Sequence, residues 1–467
     1  MVVAIMVSMV AFLDGSVVNL ALPAIRRDLG GGLSAQQWVV DAYLLAMGAL
    51  ILPGGSISDL FGRVPVLRFG LVAFGAGSVL AATAPSPAML ITARVIQGVG
   101  AAFLVPGSLA LINSTFERAD QPAAIGSWTA WTGIAFALGP LLGGLAVDLL
   151  SWRWIYVLSA VPMVVAFALT FWLCPMPGPA EHPRVDFTGA VLSAVGFSAS
   201  VYALIESQRR GWGDPVIFGS TVLGVAALLA FVAWERRTAD PMVPLGLLGI
   251  RNFAGANLAT AFIYGALNLS TLVISLYTQE VAGYSAIAAG LATLPIPIMS
   301  FLFARRVGSL EGRKGPWLFL VSGPALAGVG LLLIGPSGGE FNVITELLPG
   351  MCLLSAGLVV TITPLTSVAL SSVEPARSGI ASAINNAVSR LASLISVACL
   401  GLIAAGTLTD ASFVRLLQVC ALLFFAGAVI CGVTLTRPAV SAEPVGCEVA
   451  ALCRDRPGVQ PALASSG

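Results

Sequence analysis

Stretches of about twenty residues with too few charges to face water follow one another along most of this chain, and that repetition limits the folds open to it. Charged residues are 10% of the 467, where soluble domains carry about 25%. Apolar residues are 57%, and mean hydropathy is +0.95. So few charges cannot coat a water-facing surface, whereas a bilayer solvates apolar side chains without them. The chain reads as an all-α, polytopic membrane protein.

The same arithmetic excludes several function classes. A net charge of +1 with no long basic run is not that of a nucleic-acid binder. His182 is the single histidine, and Lys314, followed by Gly315, is the single lysine. A histidine-based zinc site and the Gly-Lys-Ser/Thr of a phosphate loop are both ruled out, so no metal, cofactor or built-in ATPase is expected. Seven cysteines form no Cys-x-x-Cys pair and read as small apolar side chains within spans. An enzyme would need a ligand cluster or a nucleophile–base set, and neither is present.

Fourteen spans fit the pattern, near 1–22, 38–58, 66–84, 88–112, 124–147, 154–174, 187–206, 215–234, 253–276, 285–304, 316–335, 347–370, 380–405 and 413–435. The first lacks a basic leader and is interrupted by Asp14, so it reads as a span and not a signal peptide; an initiation site further upstream is compatible with it. If the loop after the second span is cytoplasmic, that side holds twelve basic residues, among them Arg63, Arg305, Arg313 and Lys314. The other side holds six, including Arg26, Arg153 and Arg415. The excess places both termini in the cytoplasm of a cell's inner or plasma membrane. Residues 1–174 form one six-helix half and 253–435 another, 175–252 contribute a linker with two additional helices, and 436–467 read as a disordered cytoplasmic tail. Two six-span halves point to a rocking transporter with its site between them. A monomer in the lipid bilayer is expected, with a small-molecule substrate.

Several segments carry a resemblance. The run Gly55-Ser56-Ile57-Ser58-Asp59-Leu60-Phe61-Gly62-Arg63 resembles the loop between spans 2 and 3 of the major facilitator superfamily. Arg94-Val95-Ile96-Gln97-Gly98 is similar to its fourth-span arginine motif, and Gly139-Pro140-Leu141-Leu142-Gly143-Gly144 to its antiporter motif. Leu13-Asp14-Gly15-Ser16 through Pro23 resembles the first-span motif of its fourteen-span drug:proton antiporters. The resemblance implies a multidrug efflux protein exchanging protons for amphipathic molecules. The departures are Ala135 where Gly is usual, Ser309 where the second-half counterpart of Asp59 would stand, and Ser159 where Asn is common.

Asp14 and Arg94 are ionisable groups inside apolar spans, a costly placement unless they are paired or hydrated. Counted along their helices they lie ~12 Å and ~9 Å from the same face, depths compatible with contact. Desolvation favours the neutral form of a carboxylate and a guanidinium favours the charged form, so a conformational change near such a pair can load or release a proton. The alternative is a fixed ion pair that only orients two spans. Asp59, Gly62 and Arg63 read as a latch on the cytoplasmic face, or as a plain turn. Gly139, Pro140, Gly143 and Gly144 put small residues on one helical face, which suits close packing; the resemblance implies a gating seal against proton leak there.

Asp41, within a turn of Trp38, reads as reaching water at the outer interface. Arg390 lies deep in the thirteenth span, with carbonyls, Asn385, Asn386, water or an anionic substrate group as candidate partners. Tyr43, Gln97, Tyr264 and Asn268 are candidate substrate handles, each equally a packing residue. The rivals to a drug exporter are a proton-coupled carrier of one metabolite, engaging Arg390 if anionic, and a membrane sensor or channel. No span repeats a polar face, which disfavours the channel.

Overall fold

A computed structural model describes residues 1–115, 127, 131, 138–172, 186–238, 241–336, 341–374 and 378–435. Their regular structure is all helix, in keeping with a chain whose buried amides have no water to bond. The helices are α1 (Val2–Leu29), α2 (Gly32–Phe61), α3 (Arg63–Ala82), α4 (Pro87–Thr115), α5 (Leu138–Leu149), α6 (Trp154–Thr170), α7 (Phe187–Arg210) and α8 (Pro215–Glu235). There follow α9 (Arg251–Glu280), α10 (Ala286–Thr293), α11 (Pro295–Lys314), α12 (Trp317–Leu332), α13 (Leu348–Ser371), α14 (Ser378–Ala398), α15 (Leu400–Ala404) and α16 (Asp410–Thr434). Among the described residues nine segments are long and apolar enough to cross a bilayer, or ten with bent α1 taken as one. Three further apolar helices, α5, α6 and α12, are shorter. The tail at 436–467 lies outside the described residues.

Two groups of helices pack internally, α1–α4 with α6, and α9 with α11–α14 and α16, while α7 and α8 pair as a hairpin beside α2 and α14. Apolar lipid cannot drive helices together, so backbone proximity must. At the α3–α4 contact a Cβ on Gly100 would stand 2.6 Å from the Phe74 amide nitrogen; at the α12–α13 contact one on Gly330 would stand 2.5 Å from that of Leu354. Outward faces stay apolar: Phe218, Val222 and Leu229 of α8 and Leu422, Val429 and Val433 of α16 are exposed. A water-soluble fold would bury such a set.

The bundle has two ends, marked by Arg26 at the close of α1 and Gly62 at the close of α2. At the second, α2 and α3 join through Gly62 alone, at φ 89°. Only glycine takes that backbone cheaply. Asp59 therefore belongs to the last turn of α2 and not to a loop, which corrects the sequence reading; its side chain lies outside the described residues. Arg63 is the first residue of α3.

Candidate functional site

Asp14 on α1 and Arg94 on α4 meet in the interior, Nη1 to Oδ2 at 2.7 Å, with both side chains 2% exposed or less. The approach of α4 to α2 makes this possible. Gly98, one turn beyond Arg94, lies so close to α2 that a Cβ there would be 2.5 Å from the Tyr43 carbonyl oxygen. Arg94 Nε then donates to the Val39 carbonyl at 2.9 Å, and its guanidinium lies 4.4 Å over the Tyr43 ring. Nη1 also donates to Gln97 Oε1 at 3.0 Å, Gln97 Nε2 donates to Ser78 Oγ at 2.9 Å, and the Ser78 hydroxyl donates to the Phe74 carbonyl. The charge is thus held by a polar chain running through α1, α2, α3 and α4. Ser78 was not singled out from sequence, nor was Tyr156 of α6, which interacts electrostatically with both Asp14 and Arg94 and whose buried hydroxyl has no hydrogen-bond partner among the described residues. A serine and a tyrosine in apolar helices look like ordinary packing until their neighbours are known.

A cavity of about 90 Å³ abuts the pair, between the two groups of helices. Asn19, Tyr43 and Arg94 line it from the first group, and Asn268, Leu272 and Arg390 from the second. Sites for drug-sized molecules enclose roughly 300–1,000 Å³, so this cavity is smaller than such a site. Gln97 and Tyr264 are not among its lining residues; Gln97 is spent on Arg94 and Ser78. Asn268 ties α9 to α14 by donating to Ser393 Oγ at 2.8 Å. Arg390 makes no ion pair or hydrogen bond among the described residues. Neither asparagine is its partner: Asn385 donates to Asn257 and Thr260, and Asn386 to its own helix at the Ser382 carbonyl.

At the Arg26 end several hydrogen bonds join the two groups. Glu280 of α9 accepts from Arg26 Nη1 at 2.5 Å and from Gln36 Nε2 at 2.6 Å. Asp148, just inside the end of α5, accepts from the Ala286 and Ile287 amides that open α10. Pro23 has no N–H to offer the Asn19 carbonyl one turn back, and that carbonyl instead accepts from Ser275 Oγ of α9 at 3.2 Å. Between α5 and α10 the backbones nearly touch. A Cβ on Gly144 would lie 2.8 Å from the Ala286 oxygen, one on Gly143 would meet Val17 of α1, and Gly290 faces the Pro140 carbonyl. Gly139 and Pro140 are buried in the same contact region.

This architecture has relatives. A model of the Major Facilitator Superfamily matches residues 4–397. The chain belongs to the major facilitator superfamily. It is 36% identical over 414 residues to the puromycin resistance protein pur8 of Streptomyces alboniger, covering 87% of this chain and 81% of that one. It is also 36% identical over 408 residues to the multidrug resistance protein Stp of Mycobacterium tuberculosis, covering 85% and 74%. Among solved structures, an auto-inhibited peptide transporter of the POT family superposes with a TM-score of 0.69 at 18% identity, over 95% of this chain and 98% of that chain. The last likeness shows the fold. The superfamily is one of multi-pass membrane transporters, not enzymes.

One intramembrane charge of this facilitator departs from the sequence reading. Asp41 does not reach water: it is 0% exposed, and neither carboxylate oxygen has a hydrogen-bond partner among the described residues. Trp38 does lie near the surface, where its Nε1 donates to Glu206 of α7, but one turn further on α2 faces α14 and not the interface.

Proposed function

We propose that this facilitator exports amphipathic drugs or similar small molecules in exchange for protons, through rocking of two six-helix halves about the cavity. The observation that carries the proposal is the buried Asp14–Arg94 pair standing against a cavity between the two groups of helices. A permanent structural pair needs no such neighbour; a proton switch does. The names of the relatives, for puromycin and multidrug resistance, support a drug cargo. In the cycle Asp14 takes a proton from outside, which weakens its hold on Arg94 and frees the guanidinium to rearrange with the cavity. Release of that proton inside restores the pair and resets the carrier.

The topology proposed is fourteen spans, with 1–174 and 253–435 as the halves, 175–252 carrying the extra helix pair, both termini cytoplasmic, and a monomeric protein in the cytoplasmic membrane. Helices of the described residues fall in each of the fourteen intervals read from sequence, which supports the count. On this topology the Arg26 end is external, and the contacts there describe a carrier closed to the outside. Gly143, Gly144 and Pro140 act in the external seal, and Asp59, Gly62 and Arg63 in a latch on the cytoplasmic face. Asp59→Asn should therefore cut efflux about tenfold at normal expression, read as initial rates in cells; undiminished efflux removes the latch.

A pump-deficient host expressing the chain tests the whole reading. Ethidium efflux should appear with the protein and vanish with an uncoupler. Efflux that ignores the uncoupler defeats proton exchange. One observation favours a second reading: Arg390 lines the cavity and makes no ion pair among the described residues, as a site for an anionic group on a single metabolite would. A dye and antibiotic panel that yields no efflux, against one anion that does, would select it.

A further inference from the structure

Two of the contacts that join the two groups are differently built. At α5–α10 the contact is glycine against backbone. At α2–α14, the corresponding helix pair when the halves are exchanged, the facing stripe of α2 carries Gln37, Asp41 and Gly48, spaced at helical intervals. Gln37 Nε2 donates across the seam to the carbonyls of Val397 (2.8 Å) and Ala398 (3.1 Å), and Gly48 lies against Leu391. Asp41, between them, faces Cys399, where α14 breaks before α15.

Among the described residues Asp41 has no counter-charge. From α14 and α15 comes the Cys399 thiol; Arg390, about two and a half turns back along α14, is at the cavity. From α4 comes Arg94, whose Nε is on the Val39 carbonyl and whose Nη1 is on Asp14. From α7 comes Glu206, held by Ser34, Trp38 and Arg209. An ionised carboxylate so enclosed is costly even after relaxation, whereas the neutral acid costs far less.

We propose that Asp41 is a proton-binding site that locks the external seam: α2 and α14 close only over the protonated acid, and the group ionises when the seam opens to external water. This rests on the exporter reading for its place in the cycle, where external protonation would drive closure after substrate release. It is a separate proton from that assigned to Asp14.

The test uses the full chain in lipid nanodiscs and two readouts that need no transport. Infrared difference spectra at neutral pH should show the carbonyl band of a protonated carboxylic acid that is lost in Asp41→Asn and kept in Asp14→Asn. In a protein retaining Cys399 as its one cysteine, labelling by a charged thiol reagent reports seam opening. Normalised to the Asp41→Asn protein, which has the same thiol chemistry, it should rise with pH by up to about tenfold per unit, the linkage of one proton. Identical infrared spectra, or identical labelling profiles in the two proteins, overturn the proposal. So does failure of Asp41→Asn to fold, because Asn is the isostere of the neutral acid and must be tolerated where that acid is. Loss of uncoupler-sensitive ethidium efflux in the parent protein counts against the exporter reading and leaves both readouts intact.

Discussion

Asp14→Asn is expected to abolish uphill ethidium efflux, a loss of at least about a hundredfold if proton exchange supplies the driving force. The substitution keeps the shape of the side chain and an oxygen that can accept from Arg94, but it removes the negative charge and the group that takes a proton. Stability falls as well, because the Arg94 guanidinium is left buried without its counter-charge, a change that typically costs roughly 3–5 kcal/mol when one partner of such a pair is lost. Loss of transport alone could therefore be read as damage. The double substitution Asp14→Asn with Arg94→Gln separates the explanations. Removing both charges should restore much of the thermal stability lost in Asp14→Asn while restoring none of the uphill efflux. If the doubly neutral protein pumps ethidium uphill, the pair merely orients α1 and α4, and coupling resides elsewhere.

The second large effect is expected at α5, with a gradient between neighbouring glycines. Gly144→Ala places a methyl 2.8 Å from the Ala286 oxygen and the Ile287 Cα, and 3.0 Å from the Ala286 carbonyl carbon, all backbone atoms of the facing helix start. They cannot rotate away, so α5 and α10 must part, weakening the Asp148 bonds to the Ala286 and Ile287 amides. Overpacking of this kind costs about 1–3 kcal/mol. Gly143→Ala instead meets Val17 Cγ1 at 2.8 Å, a side-chain atom that can turn aside. Proteoliposomes carrying Gly144→Ala should leak protons and lose efflux at least tenfold, with Gly143→Ala closer to the parent. Equal, tight behaviour of both variants would leave these glycines as packing residues without a sealing role.

Much of the arrangement was legible because the chain's rules are few. A span must be about twenty apolar residues, so Phe187–Arg210 or Asp410–Thr434 can be outlined by eye. A charge inside one must find a partner, so Asp14 and Arg94 could be singled out before their contact was known. Gly62 could be placed at a helix junction because that junction needs a positive φ. Asp41 could not be read in the same way. Distance from a span's end says how deep a residue lies but not which way it points, and one turn of α2 separates Trp38 near the surface from a carboxylate enclosed beside α14. Asn385, Asn386 and Arg390 share one helix, and only the packing of α9 against α14 assigns Asn385 to Asn257 and Thr260 and leaves Arg390 to the cavity.

By itself the sequence determined the solvent, the helical class and the identity of the expensive groups, because transferring a charge or an amide from water to hydrocarbon is a large local cost that each residue bears wherever it ends up. The tertiary structure decided partners: that Gln97 serves Arg94, that Glu280 and Asp148 close the Arg26 end, and that Asp41 is enclosed with no counter-charge among the described residues. Those outcomes turn on small distances between helices far apart in the chain, and the energies that select them arise only when backbones come within contact of one another.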